Sequence, residues 1–411
     1  MRILVLGGGG REHALCWKLA QSKGVEVFAS PGNPGIARIG TCLSTGPSYA
    51  VMADEIGADL TVVGPEAPLV AGVVDEFRTR GLKIVGPDRA AAQLEGSKVF
   101  AKHFFQQIGI PTAEYATVDN PADARRAIGR FGYPVVLKAD GLAAGKGVII
   151  AHDSAEAESA LATLTGRLVV EEFLSGEEVS FIALCDGRNV VSLAPTQDHK
   201  AVFDGDTGPN TGGMGAYCDS AILSQAQTQF VLDRVIHPTV EATRFTGFLY
   251  AGLMMTGSGP KVLEFNVRLG DPETQPLMKR MASDFVPVLM AAATGELAGV
   301  KLDWDPDPAI CVVLASGGYP GSYTAGKPIH GIADAEATGA TVFHAGTRLD
   351  SAGLVTSGGR VLGVTASGPT LASAIDNAYR GAGRISFEGM QYRTDIGRKG
   401  LRRSNPPAAS A

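Results

Sequence analysis

Short apolar runs alternate along the chain with stretches in which apolar residues recur at helical spacing, a pattern typical of α/β proteins. The first run, at 2–6, ends at Gly7 and is followed by a helical pattern over about 12–21. Similar runs predict strands at 25–29, 60–63 and 83–85. Strands separated by helices form parallel sheets, which bind ligands at the carboxyl ends of their strands.

The middle of the chain changes pattern. Ser97 and Asn120 are suited to cap helices that end near Gly109 and Gly132. Predicted strands follow at 134–139, 148–151 and 168–173, and Asp186-Gly187 joins a predicted hairpin of 179–185 and 190–193. We therefore expect a small α+β module over about 115–190.

The remaining pattern is mixed. The polar, glycine-rich segment 197–215 is expected to be a long loop that acts as a lid or is disordered. Further strands are predicted at 249–255, 261–266, 310–315, 341–344 and 360–365. We predict domains at 1–101, 102–305 and 306–400, and a disordered tail at 401–411.

Composition excludes several classes of function. The net charge of −6 is unlike the basic surface that nucleic acid binding needs. The five cysteines contain no CxxC pair, so neither a zinc site nor a disulfide framework is expected, and a reducing cytoplasm fits. The N-terminus lacks the cleavage region of a signal peptide. No apolar run approaches about 18 residues, so no membrane contact is expected.

The N-terminal glycine loop does not fit dinucleotide binding. Glu12 stands where the third glycine of G-x-G-x-x-G belongs, and the second predicted strand ends without an acid to hold a ribose. Gly8, Gly9 and Gly10 still precede a helix, whose free amide groups can bind a phosphate or similar anion. A plain strand–helix turn is the alternative.

The segment from Lys138 to Gly147 resembles a phosphate-binding loop but is not a Walker motif. Its glycine spacing is one residue short, Gly147 replaces the required Ser or Thr, and strands flank it on both sides. A glycine hairpin with Lys138 at one end and Lys146 near the other can fold over a triphosphate. A plain surface hairpin is again the alternative.

Strand alternation places Glu264, Asn266 and Arg268 on one face of a predicted strand. Carboxylate and amide oxygens are ligands suited to Mg²⁺, and a neighbouring arginine can neutralise phosphate charge. Earlier, Glu171 ends a predicted strand, and Glu178 follows it. A strand end of this kind can bind adenine through its backbone, although two acids there are usually only solvated.

Together these stretches resemble the ATP-grasp superfamily and, within it, the phosphoribosylamine–glycine ligase family, from the first residues to about Gly397. The stretches that carry the resemblance include GGGGREHA at 7–14, PGNPG at 31–35, VVGPEAPLVAG at 62–72, LEGSKVFAK at 94–102, PVVLKADGLAAGKGV at 134–148, EEFLSGEEVS at 171–180, QDHK at 197–200, DTGPNTGGMGAY at 206–217, LEFNVRLGDPETQ at 263–275, HAGT at 344–347 and TSGGRVLGV at 356–364.

The resemblance implies a multidomain fold of α/β and α+β type. It comprises an N-terminal parallel α/β domain, an ATP-grasp core with a small lid, and a C-terminal mixed α/β domain that is barrel-sandwich-like. It also implies that glycine, phosphoribosylamine and ATP are substrates. They would give phosphoribosylglycinamide, ADP and phosphate through glycyl phosphate, a step of purine biosynthesis, in a monomer or weak homodimer.

Roles are implied residue by residue. Lys98 and Lys138 would contact ATP phosphates, and the loop containing Gly141, Gly145, Lys146 and Gly147 would close over them. Glu171, Phe173 and Leu174 would hold adenine, and Glu178 the ribose. Glu264 and Asn266 would bind Mg²⁺ or Mn²⁺. Arg268 and Lys138 would assist phosphoryl transfer, and Asp271 would hold the acceptor amine. Phosphoribosylamine would lie among Gly8, Gly9, Gly10, Glu66, Gly358, Gly359 and Arg360, with glycine and phosphate near His199, Lys200, Asp206 and Asn210.

One departure bears on the metal. Many ATP-grasp proteins carry a second metal carboxylate on the preceding strand, where this chain reads AGLM at 251–254. Two other functions stay open: another ATP-grasp carboxylate–amine ligase or carboxylase of purine metabolism, and a nucleotide-binding homologue without catalysis. The presence of Lys98, Lys138, Glu264, Asn266 and Arg268 argues against the second.

Overall fold

A computed structural model describes residues 1–46, 48–142, 147–351 and 353–404. The predicted loop residues Gly145 and Lys146 lie outside this part of the chain. Within it, none of the helices is both long and apolar enough to cross a membrane.

The N-terminal region is the parallel sheet that the sequence predicts. Its strand order is β3-β2-β1-β4-β5 and all its pairings are parallel. The central residues Ile3–Leu6 are fully buried, because helices cover both faces and strands of this kind read as continuous apolar runs. The elements are β1 (Arg2–Gly7), α1 (Gly10–Leu19), β2 (Glu26–Pro31), β3 (Thr41–Cys42), α2 (Tyr49–Ile56), β4 (Leu60–Val63), α3 (Glu66–Ala71), α4 (Val73–Thr79), β5 (Ile84–Val85) and α5 (Arg89–Gly96).

A small antiparallel sheet follows, with order β6-β9-β7-β8 and a core of its own that includes Leu137 and Val170. The predicted caps are present, since Ser97 accepts from the Phe100 amide and Asn120 from that of Asp123. The elements are α6 (Lys98–Ile108), β6 (Tyr115–Val118), α7 (Pro121–Phe131), β7 (Val135–Ala139), β8 (Val148–Ala151), α8 (Ser154–Thr163) and β9 (Leu168–Glu172).

The rest of the chain is organised around one large sheet. Its main path is β17-β16-β10-β12-β15-β18-β22-β19, with β11 on β10 and β23 on β18. The elements are β10 (Glu177–Asp186), β11 (Val190–Ser192), β12 (Thr196–Asp198), β13 (Ala201–Phe203), β14 (Thr207–Asn210), β15 (Gly215–Cys218), α9 (Gln225–Val231), α10 (His237–Thr243), β16 (Thr246–Thr256), β17 (Gly259–Asn266), α11 (Thr274–Arg280), α12 (Phe285–Thr294), β18 (Ala309–Ser316), α13 (Ile332–Glu336), β19 (Thr341–His344), β20 (Thr347–Asp350), β21 (Gly353–Thr356), β22 (Arg360–Ser367), α14 (Leu371–Ala382), β23 (Met390–Gln391) and α15 (Arg398–Ser404).

Two expectations need correction. The segment 197–215 is not a featureless loop, because β12 and β15 pair within the large sheet and β13 pairs with β14. These strands are only three or four residues long, too short to show a clear alternation in the sequence. The tail is helical as far as Ser404, and residues 405–411 lie outside the described residues.

The sheets also differ in extent from the predicted domains. The small sheet ends at Glu172, because β10 pairs along its whole length with β16 of the large sheet. The C-terminal strands join that same sheet through the pairing of β15 with β18. The predicted boundaries near residues 190 and 306 stay predictions.

Candidate active site

Arg268, just after β17, is held between two carboxylates. Its Nη2 donates to Glu95 Oε1 at 2.9 Å, and its Nε lies 3.4 Å from Glu66 Oε2. Burial alone would lower the pKa of Arg268, but Glu95 and Glu66 outweigh burial and raise it. We call Arg268, Glu66 and Glu95 the arginine triad.

The two acids of the arginine triad differ in environment. The Glu95 side chain is 8% exposed, and its second oxygen accepts from the Val267 amide at 2.7 Å. Burial raises the pKa of Glu95 in spite of Arg268. The Glu66 side chain is 29% exposed, and although burial acts to raise its pKa, Arg268 lowers it overall. Glu66 is therefore the more accessible partner.

A second triad, which is buried, has the opposite arrangement of charge. Glu171 Oε2 lies 3.1 Å from Lys138 Nζ and 3.2 Å from Lys102 Nζ. Lys138 also donates to the Leu263 carbonyl of β17, and Lys102 donates to Thr112 Oγ1. Burial lowers the pKa of Lys102 to about 8, although Glu171 opposes this shift. We call Lys102, Glu171 and Lys138 the lysine triad.

Lys98 connects α6 to the glycine hairpin. Its Nζ donates to the Gly141 carbonyl at 2.8 Å, and burial lowers its pKa. Asp140 beside it accepts from the Ser97 hydroxyl and the Val99 amide. The first end of the predicted phosphate hairpin, at Asp140 and Gly141, is thus fixed to the start of α6.

Glu264 lies among cations. Lys200 Nζ is 3.8 Å from Glu264 Oε1 and 3.0 Å from Glu178 Oε2. Burial acts to raise the pKa of Glu264, but Lys200, Lys138 and Lys98 outweigh it and lower the pKa. Asp198, on β12 beside Lys200, has its pKa raised to about 7 by burial. Glu264 is thus an ionised carboxylate close to three lysines.

The oxygen donors fit a magnesium ion that keeps water and phosphate as its other ligands. Glu264 and Asn266 share one face of β17, and Asn266 Oδ1 now accepts from Arg268 Nη2 at 3.0 Å. Gly252 pairs with Glu264 across the sheet, so the preceding strand supplies no further acid there. The described residues contain no cluster of three or more His, Cys, Asp or Glu that could hold a metal. Two hard oxygen ligands suffice for Mg²⁺ bound with a nucleotide.

Asp271 and Arg360 form a third charged centre. Arg360 Nη2 lies 3.0 Å from Asp271 Oδ2, and Nη1 donates to the Asp271, Gly212 and Gly213 carbonyls. Gln275 donates to Asp271 Oδ1 at 2.8 Å. Burial acts to raise the pKa of Asp271, but Arg360 lowers it overall. A Cβ added to Gly9 would lie 3.7 Å from Asp271 Oδ2, so this pair adjoins the N-terminal glycine loop.

The N-terminal glycine loop already binds a carboxylate of the protein itself. The Gly9 amide donates to Glu12 Oε2 at 2.6 Å, and Glu12 is paired with Arg11, which donates to the Leu269 carbonyl. Glu12 therefore takes the place that sequence reasoning offered to a phosphate. Gly8 is packed against the Gly32 carbonyl, which leaves no room for a side chain.

A buried seam joins the glycine loop to β19. Asn33 Nδ2 donates to the Gly8 and His344 carbonyls, and the His344 amide donates to His13 Nδ1 at 2.7 Å. Burial lowers the pKa of His13 to about 3 and that of His344 to about 4. On the same side, Gly358 packs against Gly346, and Ser316 donates to the Gly358 carbonyl. The Gly359 carbonyl accepts from the Ser316 amide.

Three of the residues predicted to surround glycine and phosphate lie apart from these charged centres. Asp206 pairs with Arg393 Nη1 at 3.0 Å and with Lys399 Nζ at 2.6 Å, in a cluster of the C-terminal segment. His199 Nε2 accepts from the Gly397 amide at 3.4 Å, and burial lowers the His199 pKa to about 3. Asn210 pairs through its backbone with Ala201. Direct roles in substrate binding for these three residues stay predictions.

The predicted adenine residues lie beyond the lysine triad. Phe173 is 38% exposed and Leu174 is buried, directly after β9. The Glu171 side chain is engaged by two lysines, and its Oε1 is buried without a hydrogen-bond partner among the described residues. Glu178 faces Lys200 at the start of β10.

Sequence reasoning missed Glu95, Lys102, Asp198, Glu12 and Asn33 as members of the site. Glu95 and Lys102 stand in motif stretches, but nothing local marks a helical Glu or Lys as buried. Glu95 is 173 positions from its partner Arg268 in the sequence, and Lys102 is 69 positions from its partner Glu171. Only the fold brings such pairs together.

Comparison with known proteins gives matches over most of the chain. Three family models match: the N domain of phosphoribosylglycinamide synthetase at 1–95, its ATP-grasp (A) domain at 96–274 and its C domain at 309–399. The phosphoribosylamine–glycine ligase of Pseudomonas aeruginosa is 51% identical, with 98% of this chain and 99% of that protein covered. The ligase of the same name from Ralstonia nicotianae is 50% identical, with 98% and 100% covered.

Comparison with solved structures finds the same family. The crystal structure of phosphoribosylamine–glycine ligase from Thermotoga maritima has a TM-score of 0.84 and 35% identity, covering 96% of this chain and all of that one. N5-carboxyaminoimidazole ribonucleotide synthetase from the same organism has a TM-score of 0.65 and 19% identity, covering 94% and 99%. The second likeness is one of fold alone.

Proposed function

The chain belongs to the phosphoribosylglycinamide synthetase family, and on that premise we propose that it joins glycine to 5-phospho-β-D-ribosylamine using ATP. The products are N1-(5-phospho-β-D-ribosyl)glycinamide, ADP and phosphate. One observation supports this activity above the others. The oxygen pair Glu264 and Asn266 lies in a charged cleft with Lys98, Lys138, Lys200 and Arg268 near it.

The chemistry needs positioned charge and no protein nucleophile. A carboxylate is a poor electrophile, so the glycine carboxylate first attacks the γ-phosphoryl group, the bond to the β-phosphate breaks, ADP leaves, and glycyl phosphate is formed. The ribosylamine nitrogen then attacks the acyl carbon, and phosphate leaves. Lys98, Lys138 and Arg268 would neutralise the phosphoryl oxygens during transfer, as preorganised cations do.

The nucleotide would lie between the small sheet and β17. Adenine would contact the chain at Glu171, Phe173 and Leu174, with the ribose near Glu178. The hairpin that runs from Gly141 to Gly147 would cover the phosphates, and its predicted contributors Gly145 and Lys146 belong to this proposal.

Glu264 and Asn266 would hold the divalent cation, Mg²⁺ or Mn²⁺. Such a cation supplies charge neutralisation at the ATP phosphates. Arg268 Nη2 donates to Asn266 Oδ1 in the free protein, and that N–H would donate to a phosphoryl oxygen when the amide oxygen binds the cation.

Phosphoribosylamine would bind beside Gly8–Gly10, Glu66 and the Gly358–Arg360 segment. Since Glu12 occupies the Gly9 amide, the 5′-phosphate is assigned to Arg360 and not to the start of α1. Asp271 would accept a hydrogen bond from the amine. His199, Lys200, Asp206 and Asn210 remain the proposed surroundings of glycine and of the phosphate released. A cytoplasmic location is proposed with this pathway role, and five free cysteines agree with it.

A coupled assay tests the function. Purified protein, MgATP, glycine and freshly made phosphoribosylamine should release phosphate and form the glycinamide product. Omitting either glycine or the ribosylamine should abolish product. Faster turnover with formate or bicarbonate in place of glycine would contradict the proposal and favour a related ATP-grasp enzyme.

A further inference from the structure

Glu95 is a buried acid that fixes two consecutive residues at the end of the metal-binding strand. One carboxylate oxygen accepts from Arg268 Nη2 at 2.9 Å, and the other accepts from the Val267 amide at 2.7 Å. Asn266, one of the two candidate metal ligands, directly precedes this pair. The conformation of the chain just after the metal strand therefore depends on one carboxylate.

The remaining contacts of Arg268 show which of its N–H groups are still available to a ligand. Of its five N–H groups, Nη1 donates one to the Leu269 carbonyl, and Nη2 donates both of its own to Glu95 and Asn266. Among the described residues, the buried Nε–H has no acceptor in hydrogen-bonding geometry, and Glu66 Oε2, 3.4 Å away, is its ion-pair partner. The guanidinium is thus anchored on one side and retains donors for a ligand.

Burial makes Glu95 costly as a purely structural group. A carboxylate taken out of water loses hydration that an ion pair only partly restores, and buried pairs are weak evidence for stability. Apolar side chains in place of both Glu95 and Arg268 would fill the same space without that cost. The presence of this charged pair beside the candidate metal ligands therefore suggests a role in positioning.

The position of Glu95 in the chain strengthens this argument. Three residues later, Lys98 donates to the Gly141 carbonyl, and Ser97 donates to Asp140 at 2.9 Å. Residues 95–98 therefore contact Arg268 on the core side and the glycine hairpin on the lid side. A shift of this short segment would move groups on both sides of the cleft.

We propose that Glu95 is a positioning residue for phosphoryl transfer, which holds the guanidinium of Arg268 in the orientation that transfer requires. This inference rests on the proposed function. Glu66 does not replace Glu95, because it is more exposed and forms with Arg268 an ion pair at 3.4 Å without hydrogen-bonding geometry, whereas Glu95 accepts from Arg268 at 2.9 Å. Glu95 acts through Arg268 and contacts no substrate itself.

The test uses Glu95→Gln, which preserves shape and one acceptor but removes the charge. We expect kcat to fall about 10- to 100-fold while the KM for MgATP changes less than about threefold, because binding of the nucleotide does not require the Arg268 orientation. Glu158→Gln removes an Arg–Glu pair within the small-sheet region, whose atoms lie 2.7 Å apart, and should retain the wild-type kcat.

A double-mutant cycle separates positioning from stability. In an Arg268→Ala background, Glu95→Gln should have little further effect on kcat, because residues that act through one another are not additive. Independent losses that multiply in the double variant would overturn the inference. If Glu95→Gln does not fold, Glu95→Asp takes its place in the same cycle, with the same two outcomes.

The failure of this inference is distinct from the failure of the proposed function. A wild-type protein that does not form the glycinamide product contradicts the proposed function. An active wild type whose Glu95→Gln variant retains kcat within twofold, with unchanged folding, refutes only the role of Glu95.

Discussion

The two charged triads beside β17 have opposite charge order. In the arginine triad one cation lies between two carboxylates, whereas in the lysine triad one carboxylate lies between two cations. Their formal charges are therefore −1 and +1. The lysine triad is also more deeply buried, with no side chain more than 8% exposed.

This difference suggests how the two sides divide the work. The lysine triad keeps a net positive charge where the proposed nucleotide lies, so it favours a polyanion before any chemistry begins. In the free protein the arginine triad has more negative than positive charge, so its cation becomes effective when a phosphoryl group competes with the accessible Glu66 while Glu95 stays bound. Charge that is stronger in the transition state than in the ground state accelerates a reaction.

The largest expected effect comes from the arginine triad. Arg268→Ala should lower kcat by about 10²-fold or more, because one preorganised cation at the transferring group is lost. Steady-state assays with saturating MgATP measure this loss. Arg125→Ala, which removes an exposed arginine of α7, is the control. Near-normal turnover of Arg268→Ala would show that the arginine triad is structural only.

Glu264→Gln should raise the Mg²⁺ concentration for half-maximal activity about tenfold, because a neutral amide is a weaker ligand for a hard cation. A magnesium titration at fixed ATP measures this change. Glu172→Gln changes an acid at the end of β9 that pairs with Lys261, and should leave the titration unchanged. Superimposable titrations for wild type and Glu264→Gln would remove Glu264 from the metal site.

Lys102→Met removes one cation of the lysine triad and keeps a side chain of similar size. Glu171 would keep only Lys138 as a partner, so Lys138 would be drawn toward it and less available to phosphate. We expect the KM for MgATP to rise about three- to tenfold, with a smaller change in kcat. Lys261→Met, which removes the partner of the neighbouring Glu172, is the matched control. Equal KM values in all three proteins would contradict the division of work.

Much of the fold and part of each triad could be predicted from the sequence. The strand predicted at 60–63 is β4, and the parallel order of the N-terminal sheet follows from its alternation of strands and helices. Glu264, Asn266 and Arg268 were found by strand periodicity, which depends only on neighbouring residues. Arg268 lies just beyond the end of β17 and donates to Asn266 Oδ1, so the structure brings these two side chains into contact.

The partners in the triads could not be predicted, for a physical reason. Glu95 and Lys102 lie on helices, where a charged residue ordinarily faces water. Burial comes from packing of α5 and α6 near β17 and β9, which no local pattern records. The short strands β13 and β14 were missed for the same reason, since their pairing and not their composition makes them strands.

The smallest expected effect is a difference in stability with pH. The Lys102 pKa is about 8 in the folded protein and ordinarily 10.5, so above pH 8 the unfolded chain binds more protons. The Lys102 contribution to the free energy of unfolding therefore rises with pH between these values, by about 1 kcal/mol from pH 8 to pH 9. Chemical denaturation at both pH values should show this rise in wild type relative to Lys102→Met. Identical slopes would mean that Lys102 titrates normally.

The most direct test of the division between the triads is a crystal structure with a non-hydrolysable ATP analogue, Mg²⁺ and glycine. We predict phosphates that contact Lys98 and Lys138, a cation held by Glu264 and Asn266, and an Arg268 that donates to the γ-phosphate with Glu95 still bound to it. A nucleotide bound away from both triads, or an Arg268 that has lost Glu95 in that complex, would contradict it.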